Sequence, residues 1–466
     1  MSHLARPILL LGTASHAGKS VLTAGLCRVL FQDGVKVCPF KAQNMALNSF
    51  ITAEGLEMGR AQATQAEAAG LAPEMDMNPI LLKPSSETGA QVIIQGLVRA
   101  NMEAADYHAF KPQARDFIRT SYERLARRFE VIVCEGAGSP AEINLREGDL
   151  VNMGLAEMID APCLLIGDID RGGVFASLVG TMELLAPQER ARIKGLIINK
   201  FRGDASLLKG GIEFLEDRLG LPVLGVIPHL SGLYLPEEDG VAVEPASLPR
   251  APEKAGEGVR VAVIRLPHIS NFTDFDALAA EPGLNLVYAH PPGPLPQAEA
   301  IILPGTKNTI DDLVWLKERG YAQAIVEHRR RGGLVVGICG GFQMLGRLIA
   351  DPLQVESRQG SISGLGLLPL KTTMDQDKTI RQVKARPLGP VGRPAEELLG
   401  YEIHMGLTER EEGVGPVFIL EKEGEELADG AVSDDGRVWG SYLHGLFDND
   451  GFRHWFVKGL FKEKGL

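Results

Sequence analysis

Short apolar runs alternate with longer amphipathic stretches along this chain of 466 residues. The short runs are rich in Val, Ile and Leu and end at Gly, Pro or polar residues, which is typical of buried strands. In the first half the predicted strands are Ile8–Gly12, Val35–Lys41, Val131–Glu135, Cys163–Asp168, Gly195–Asn199 and Val223–Pro228. In the second half they are Val259–Leu266, Asn285–Ala289, Ala300–Pro304, Leu334–Cys339 and Val438–His444. Strands that alternate with helices predict mostly parallel sheets covered on both faces.

The two series of strands are separated by a stretch rich in Pro and Gly that has no apolar periodicity. We therefore predict two domains, residues 1–248 and 259–466, joined by a linker at 249–258. The predicted fold class is α/β, and each domain is expected to be a mostly parallel sheet flanked by helices.

Composition and charge narrow the class of protein. Lys and Arg number 48 against 60 Asp and Glu, a net charge of −12, which disfavours nucleic acid and anionic membrane surfaces as partners. Five cysteines without a CxxC pair do not form a disulfide framework. The only apolar run near the start, Ile8–Leu11, is too short for a signal peptide or a membrane span. We expect a cytoplasmic protein.

The first candidate for chemistry is a glycine-rich loop after the first strand. It reads Gly12-Thr13-Ala-Ser-His-Ala-Gly18-Lys19-Ser20 and leads into an amphipathic helix that Gly34 is predicted to end. In such a loop, backbone N–H groups surround phosphate oxygens, the lysine bridges phosphates and the serine hydroxyl ligates Mg²⁺. Five residues, where the common motif has four, separate the two glycines. The order of strand, loop and helix predicts a nucleotide site.

Two later strands end in acids, Glu135 and Asp168. An acid at the carboxyl end of a parallel strand is well placed to hold Mg²⁺ beside bound phosphates. We therefore predict Ser20, Glu135 and Asp168 as metal ligands, with solvated strand ends as the alternative.

The second candidate is a cysteine between glycines, Gly337-Ile-Cys339-Gly340-Gly, at the end of a predicted strand and the start of a helix. This pattern is typical of a sharp turn that exposes a nucleophile. The N–H of Gly340 is predicted to stabilise an oxyanion, and Gly305, after another strand, to supply a second N–H. A thiol nucleophile needs a base. His444 at a strand end is favoured over His404.

Many sites of this kind carry an acid two positions after the histidine, but Leu446 stands there. We therefore predict that Cys339 and His444 act without the acidic residue that conventionally completes such a site. A thiol site of this kind can release ammonia from glutamine, and an ATP site can activate a carboxylate by phosphorylation so that ammonia attacks the acyl phosphate.

Several stretches resemble known families. Gly337–Gln343 and Ser441–Gly445 resemble class I glutamine amidotransferase domains of the branch that lacks the acid after the histidine. The first domain resembles dethiobiotin synthetase-like ATPases, whose phosphate loop has the same extra residue. Together they resemble the cobyric acid synthase family over essentially the whole chain. The most specific stretches are Pro39–Ser49, Asp168–Ala176, Asn199–Gly203 and Arg265–Asp276.

The resemblance implies four successive glutamine-dependent amidations, at the b, d, e and g carboxylates of adenosylcobyrinic a,c-diamide, with ATP and Mg²⁺. It implies that Cys339 is the nucleophile, that His444 is its base and that Lys41 lies near the transferred phosphoryl group. It also implies that Asn199 corresponds to the asparagine by which related ATPases recognise adenine. Cobalt belongs to the substrate. The oligomeric state, with a homo-oligomer among the alternatives, stays open.

Three alternatives remain. In the first, the acceptor is that of cobyrinic acid a,c-diamide synthase. The run Ala42-Gln43-Asn44 disfavours it, because that enzyme carries a Gly-Pro-Asp type sequence there. In the second, the acceptor is a cell-wall precursor. In a different class, the chain is a P-loop ATPase switch with a non-catalytic C-terminal interaction domain. The stretch Ser270–Asp276 is interpreted either as an acceptor contact or as a structural element at the domain junction.

Overall fold

The computed structural model describes residues 4–84, 89–230, 233, 258–291, 293–392, 396–422 and 424–466. These residues form two compact units. The first unit contains the described residues of 4–46 and 57–233. The second unit contains Leu47–Leu56 and the described residues of 258–466. The predicted linker at 249–258 falls almost wholly outside the described residues. The prediction assigned Leu47–Leu56 to the first domain, whereas in the structure this segment groups with the second unit.

The N-terminal half alternates strands with helices. Its strands are β1 (Arg6–Gly12), β2 (Val37–Phe40), β3 (Gln43–Met45), β4 (Ser49–Ile51, in the second unit), β5 (Glu57–Gly59), β6 (Ile80–Pro84), β7 (Gly89–Ile94), β8 (Leu97–Glu103), β9 (Val131–Glu135), β10 (Cys163–Asp168), β11 (Ile193–Phe201) and β12 (Val223–Pro228). Its helices are α1 (Lys19–Gln32), α2 (Arg60–Ala68), α3 (Ala104–Ala126), α4 (Met153–Met158), α5 (Val174–Leu184), α6 (Pro187–Arg190) and α7 (Lys209–Leu219).

The main sheet of the first unit has the order β12-β11-β10-β1-β9-β2, and every pairing in it is parallel. Leu9, Leu10 and Leu11 of its central strand are almost fully buried because helices cover both faces. The carboxyl ends of β1, β9, β10 and β11 therefore meet at one edge, where ligands of such sheets bind. A smaller sheet has the order β3-β6-β7-β8.

The second unit contains two larger sheets. Its strands after β4 are β13 (Val259–Ile264), β14 (Leu284–Ala289), β15 (Ala300–Leu303), β16 (Leu334–Ile338), β17 (Leu348–Ala350), β18 (Ser361–Ser363), β19 (Leu370–Pro387), β20 (Leu398–Arg410), β21 (Phe418–Lys422), β22 (Glu425–Asp429), β23 (Ala431–Val432), β24 (Val438–Ser441) and β25 (Leu443–His444). Its helices are α8 (Asp276–Ala279), α9 (Thr309–Glu318), α10 (Tyr321–Arg330), α11 (Gly340–Leu345) and α12 (Asp450–Lys464).

The first of these sheets has the order β14-β13-β15-β16-β24-β23 and is parallel except at β23. The second is built around the long antiparallel pair β19 and β20, which also holds β25. The core includes Trp439 and Phe452, whose rings meet edge to face with centroids 6.1 Å apart.

The predicted fold class is confirmed, since both units contain a mainly parallel sheet with flanking helices. Three predicted strands, Val131–Glu135, Cys163–Asp168 and Val223–Pro228, have the predicted bounds. The prediction Val438–His444 is the least accurate, because the chain leaves one sheet after Ser441 and enters the other at Leu443.

Candidate functional site

The phosphate-type loop lies between the end of β1 and the start of α1, as the sequence predicts. Gly18 precedes the helix with a φ of 97°, in the left-handed region that favours glycine. A Cβ atom at this position would lie 2.1 Å from Nδ2 of Asn199. The loop therefore needs glycine here for its backbone conformation and for space.

Lys19 is buried beneath this loop. Its Nζ donates hydrogen bonds to the carbonyl oxygens of Ala14 at 3.1 Å and Gly138 at 3.0 Å. Thr13, at the start of the loop, is half-buried, and its backbone N–H donates to Ile166 of β10 at 2.9 Å. The loop is thereby anchored to the sheet edge with the lysine ammonium inside it.

Glu135 is the centre of a buried polar cluster at the same edge. Its Oε1 accepts hydrogen bonds from Ser20 Oγ at 2.8 Å and from Lys41 Nζ at 3.0 Å, and its Oε2 accepts one from Gln65 Nε2 at 2.5 Å. Burial alone would raise the pKa of Glu135, but the Lys41 charge and these hydrogen bonds hold it below its ordinary value. The carboxylate and the Ser20 hydroxyl are oxygen donors of the type Mg²⁺ prefers, so this pair fits a magnesium ion.

Asp168, the third predicted metal ligand, has different partners. Its Oδ2 pairs with Lys200 Nζ at 2.8 Å, and its Oδ1 accepts from the N–H of Asp170 at 2.9 Å. Lys200 also donates to the carbonyl oxygen of His16 at 2.7 Å, so it spans the loop and the acid. Among the contacts of the described residues, none joins Asp168 to Ser20 or Glu135.

Asn199 contacts the backbone of the loop. Its Nδ2 donates to the carbonyl oxygen of Ala17 at 2.9 Å, and the residue is 5% exposed. In this position the amide supports the loop conformation, while its likeness to an adenine-reading asparagine stays a prediction.

The thiol site of the second unit is built on a strained turn. β16 ends at Ile338 and α11 begins at Gly340, so Cys339 stands alone between them with φ 50° and ψ −110°. A non-glycine residue in such a conformation is held there at a cost of about 1–3 kcal/mol, and such strain is typical of functional sites. A Cβ atom at Gly341 would lie 2.0 Å from the carbonyl oxygen of Leu303, so the helix passes β15 too closely for any other residue.

His444 lies in β25, fully buried, beside this cysteine. The thiol of Cys339 is within hydrogen-bonding reach of the imidazole, and its Sγ lies 3.5 Å from the carbonyl oxygen of Ile403. The imidazole stacks on the ring of Tyr401 with centroids 5.1 Å apart. The structure thus brings together the two residues predicted as nucleophile and base.

A carboxylate holds the other side of the imidazole. Oδ2 of Asp274 lies 2.6 Å from Nδ1 of His444, and Oδ1 accepts the backbone N–H of Gly445 at 3.1 Å. These two contacts assign the proton on Nδ1 to the bond with Asp274, so Nε2 is the nitrogen available to Cys339. A third acidic group therefore exists, although it lies far upstream of the position occupied by Leu446.

The charge of Asp274 changes the titration of His444. Burial alone would lower the pKa of the imidazole, but the charge and hydrogen bond of Asp274, together with Cys339, raise it to about 10. A histidine with this pKa is an imidazolium at neutral pH.

The predicted oxyanion donors, Gly305 and Gly340, lie close to this pair. A Cβ atom at Gly305 would be 3.0 Å from Cε1 of His444, and one at Gly340 would be 3.2 Å from the backbone nitrogen of Thr306. In the described part of the chain, no hydrogen bond uses the N–H of Gly305 or Gly340. Both donors therefore remain available at the edge of the thiol site.

The loop that contains Gly305 is fixed by a fully buried acid, Asp312. Its Oδ2 accepts from Thr306 Oγ1 at 2.5 Å and from the N–H of His268 at 3.2 Å, while Oδ1 lies 2.7 Å from His268 Nδ1. This network holds the oxyanion loop in one conformation, which preorganises its N–H groups.

His404, the rival base, has other partners. Its ring stacks on Tyr442 with centroids 3.7 Å apart, and its Nδ1 lies 2.9 Å from the carbonyl oxygen of Gly406. Its Nε2 is 3.5 Å from Glu402 Oε1. No contact described for His404 reaches Cys339, so the geometry favours His444 as the base.

The other cysteines lie in a different environment. All are buried, and burial raises the pKa of Cys27 and Cys163 to about 12 and raises that of Cys38 and Cys134 as well. Buried thiols with raised pKa values are inert, so these residues fit a packing role.

Comparison with known proteins identifies the family of this chain. Residues 8–242 match the model of the CobQ/CobB/MinD/ParA nucleotide binding domain, and residues 260–452 match that of the CobB/CobQ-like glutamine amidotransferase domain. The chain is 51% identical to the cobyric acid synthase of Syntrophobacter fumaroxidans over 467 aligned residues, covering 99% of this chain and 91% of the relative. It is 53% identical to the cobyric acid synthase of Klebsiella pneumoniae strain 342, covering 98% and 90%. The chain belongs to the cobyric acid synthase family.

Members of the cobyric acid synthase family are glutamine-dependent amidotransferase ligases, and this chain is therefore an enzyme of that type. The alternative of an ATPase switch with a non-catalytic second domain is wrong, because the second half is an amidotransferase domain. Among the described residues, no helix has both the length and the apolar character needed to cross a bilayer.

Some solved structures are similar to part of this chain. A chain of PurLQS from Thermotoga maritima covers 44% of this chain and 99% of its own length, with a TM-score of 0.34 and 21% identity. The signal recognition particle receptor FtsY from Elizabethkingia anophelis in complex with GDP covers 47% of this chain and 55% of its own, with a TM-score of 0.28 and 15% identity.

Within this cobyric acid synthase family member, sequence reasoning missed Asp274, Gln65 and Lys200. Asp274 lies in the stretch Ser270–Asp276, for which the sequence predicts an acceptor contact or a junction element. The missing acid after His444 was the one available signal, because a buried imidazolium needs a counter-charge from elsewhere in the chain. Gln65 and Lys200 gave no comparable signal, since polar residues on a helix and after a strand are common.

Proposed function

We propose that the chain is a cobyric acid synthase that converts the b, d, e and g carboxylates of adenosylcobyrinic a,c-diamide to amides, using glutamine as nitrogen donor and ATP as energy source. The observation that carries the proposal is the presence in one chain of the Cys339–His444–Asp274 arrangement and of the loop around Lys19. Identities of 51% and 53% to cobyric acid synthases over almost the whole chain support it.

The thiol site would release the nitrogen. The Cys339 thiolate attacks the side-chain carbonyl carbon of glutamine, and the N–H groups of Gly340 and Gly305 stabilise the resulting oxyanion. The His444 imidazolium gives its Nε2 proton to the leaving nitrogen, so that ammonia departs and a glutamyl thioester remains. His444 then accepts a proton from water as the water attacks the thioester, which releases glutamate.

Asp274 would act through His444. Its carboxylate accepts the Nδ1 proton, holds the ring so that Nε2 points to Cys339, and stabilises the imidazolium in the buried site. The stacking of Tyr401 restricts the same ring from one face. We assign no direct contact with glutamine to Asp274.

The edge of the first sheet would bind ATP. Backbone N–H groups of the loop from Thr13 to Gly18 would surround the phosphates, with Lys19 against them and Lys41 near the transferred phosphoryl group. Ser20 and Glu135 would hold Mg²⁺, which when bound supplies charge neutralisation at the phosphates. Asn199 would support the loop, and Asp168 would act through Lys200 and not as a metal ligand. The acceptor carboxylate would become an acyl phosphate and then be attacked by ammonia.

The acceptor is tested by mass spectrometry of the corrinoid after incubation with ATP, Mg²⁺ and glutamine. We expect four successive conversions of carboxyl to amide when adenosylcobyrinic a,c-diamide is supplied. Two conversions of cobyrinic acid, with no reaction of the diamide, would overturn the assignment in favour of the a,c-diamide synthase. Omitting ATP is the matched control and is expected to leave the acceptor unchanged.

A further inference from the structure

A short segment from the N-terminal half forms part of the second unit. Leu47–Leu56 lies there although Ala46 and Glu57, its neighbours in the chain, belong to the first unit. A turn within this segment is closed by a hydrogen bond from the backbone N–H of Thr52 to the carbonyl oxygen of Leu56 at 2.8 Å. Ile51 is 1% exposed and packs against Tyr401 and Ile403. The segment is thus a packed element of the thiol-site unit.

Asn271 connects this segment to the catalytic imidazole. The backbone N–H of Ser49 donates to Oδ1 of Asn271 at 3.0 Å. Nδ2 of the same amide lies 3.5 Å from Nε2 of His444. Asn271 is 2% exposed and has a φ of 51°, so it is held in a strained backbone conformation next to the base.

The direction of these contacts matters for the chemistry. Because Oδ1 accepts from Ser49, the amide presents its NH₂ group to Nε2 of His444. An N–H donor at Nε2 stabilises the imidazole without a proton there and opposes the imidazolium, since two donors then face each other. The amide therefore opposes the protonation of Nε2 that the charge of Asp274 favours.

We propose that Asn271 is a positioning residue that restrains glutamine hydrolysis, and that Ser49 in the segment Leu47–Leu56 sets its orientation. When Ser49 moves away, the amide is free to turn and offer Oδ1 to a protonated Nε2, which favours the imidazolium. The segment follows Lys41 and Asn44 closely in the chain, so a change around Lys41 has a short covalent path to Ser49. This inference rests on the proposed roles of Cys339 and His444 and of the ATP site.

The test compares glutamine hydrolysis with and without ATP, Mg²⁺ and the corrinoid acceptor. In the parent chain we expect the added substrates to stimulate hydrolysis. Asn271→Gly, which tolerates the positive φ, is expected to raise unstimulated kcat about three- to tenfold, the worth of one hydrogen bond, with KM for glutamine unchanged. The ratio of stimulated to unstimulated turnover should then fall towards one.

A second variant tests the segment at a distance from the base. The exposed Gln382 of β19 donates from Nε2 to the carbonyl oxygen of Ile51 at 2.6 Å. Gln382→Ala is expected to raise unstimulated turnover in the same direction, but less than the change at Asn271. Gln376→Ala, at another exposed glutamine of β19, is the matched control and should leave both rates unchanged.

Reduced unstimulated turnover in Asn271→Gly, with normal thermal stability, would overturn the restraint and show that the amide assists catalysis. Equal hydrolysis by the parent chain with and without the added substrates would also overturn the inference. Neither result would affect the proposed function itself, which is tested separately by mass spectrometry of the corrinoid and by the loss of glutamine-dependent amidation expected in Cys339→Ala.

Discussion

Replacement of Asp274 by Asn tests the arrangement of the thiol site most directly. The change removes one negative charge while keeping the size of the side chain. The amide still accepts the N–H of Gly445 through one atom but then presents an NH₂ group to Nδ1 of His444. We expect the imidazole to lose its counter-charge and to shift towards the tautomer with the proton on Nε2, which is the wrong form for a base at Cys339.

The distance between Asp274 and His444 sets the size of the expected loss in kcat/KM. Nδ1 and Oδ2 are 2.6 Å apart, and the side chains of His444 and Asp274 are 0% and 6% exposed, so solvent screens the pair little. With about 4 Å between charge centres and an effective dielectric of about 20, the attraction is about 4 kcal/mol. A loss of that size in the transition state lowers kcat/KM for glutamine hydrolysis about 1,000-fold.

The pH dependence of glutamine hydrolysis tests the same role of Asp274 independently. The carboxylate raises the pKa of His444 to about 10, above that of an ordinary histidine, so the imidazolium persists through neutral and mildly alkaline pH and is lost as pH rises through that value. Without the carboxylate the pKa falls. The alkaline limb of the residual hydrolysis should therefore move to lower pH.

The assay is glutamate release across pH, with ammonia-supported amidation measured alongside. Ammonia-supported amidation should stay normal, which separates a local effect from misfolding. Asp276→Asn, two positions away at the start of α8, removes the same charge from the same stretch and should change kcat/KM much less. Unchanged kcat/KM and an unmoved alkaline limb in Asp274→Asn would refute the role assigned to this carboxylate.

The remaining predictions concern the nucleophile, the phosphate loop and the strained turn. Cys339→Ala should abolish glutamine-dependent amidation and leave ammonia-dependent amidation intact, while Cys163→Ala should keep both; loss of both in Cys339→Ala with intact folding would contradict separate sites. Lys19→Ala should remove amidation with either nitrogen source, unlike the exposed Lys36→Ala, and unchanged ATP turnover would refute the nucleotide assignment. Gly341→Ala, whose Cβ would lie 2.0 Å from a backbone oxygen, should destabilise the protein by about 3 kcal/mol or more; an unaltered melting temperature would show that the turn relaxes.

Local pattern was enough to predict the parts of the fold that depend on neighbours in the chain. The helix after the phosphate loop begins at Lys19 because glycine at 18 supplies the left-handed residue before it, and the chain turns at Gly34 where the sequence predicts the helix end. The central strands were found because burial on both faces requires continuous apolar runs. The same reasoning placed Cys339 at a turn between strand and helix.

The parts that local pattern missed depend on contacts between distant positions. Asp274 lies 170 residues from His444, and nothing in its own neighbours indicates that its carboxylate reaches that imidazole. Nothing in the residues 47–56 indicates that they pack with the second unit, since their hydrophobic pattern is the same whichever surface covers them. The prediction for β24 and β25 joined two strands because a single residue, Tyr442, separates them, and apolar pattern alone does not show that they enter different sheets.

The packing of Ile51 with Tyr401 and Ile403 also bears on how this enzyme can be divided. A gene cut at the linker would give a C-terminal product that lacks this isoleucine and the Ser49 amide. Such a product would expose apolar surface behind the ring that stacks on His444 and would leave the Asn271 side chain unanchored. Supplying the segment Leu47–Leu56 as a separate peptide would be the natural complement for a truncated product of this kind.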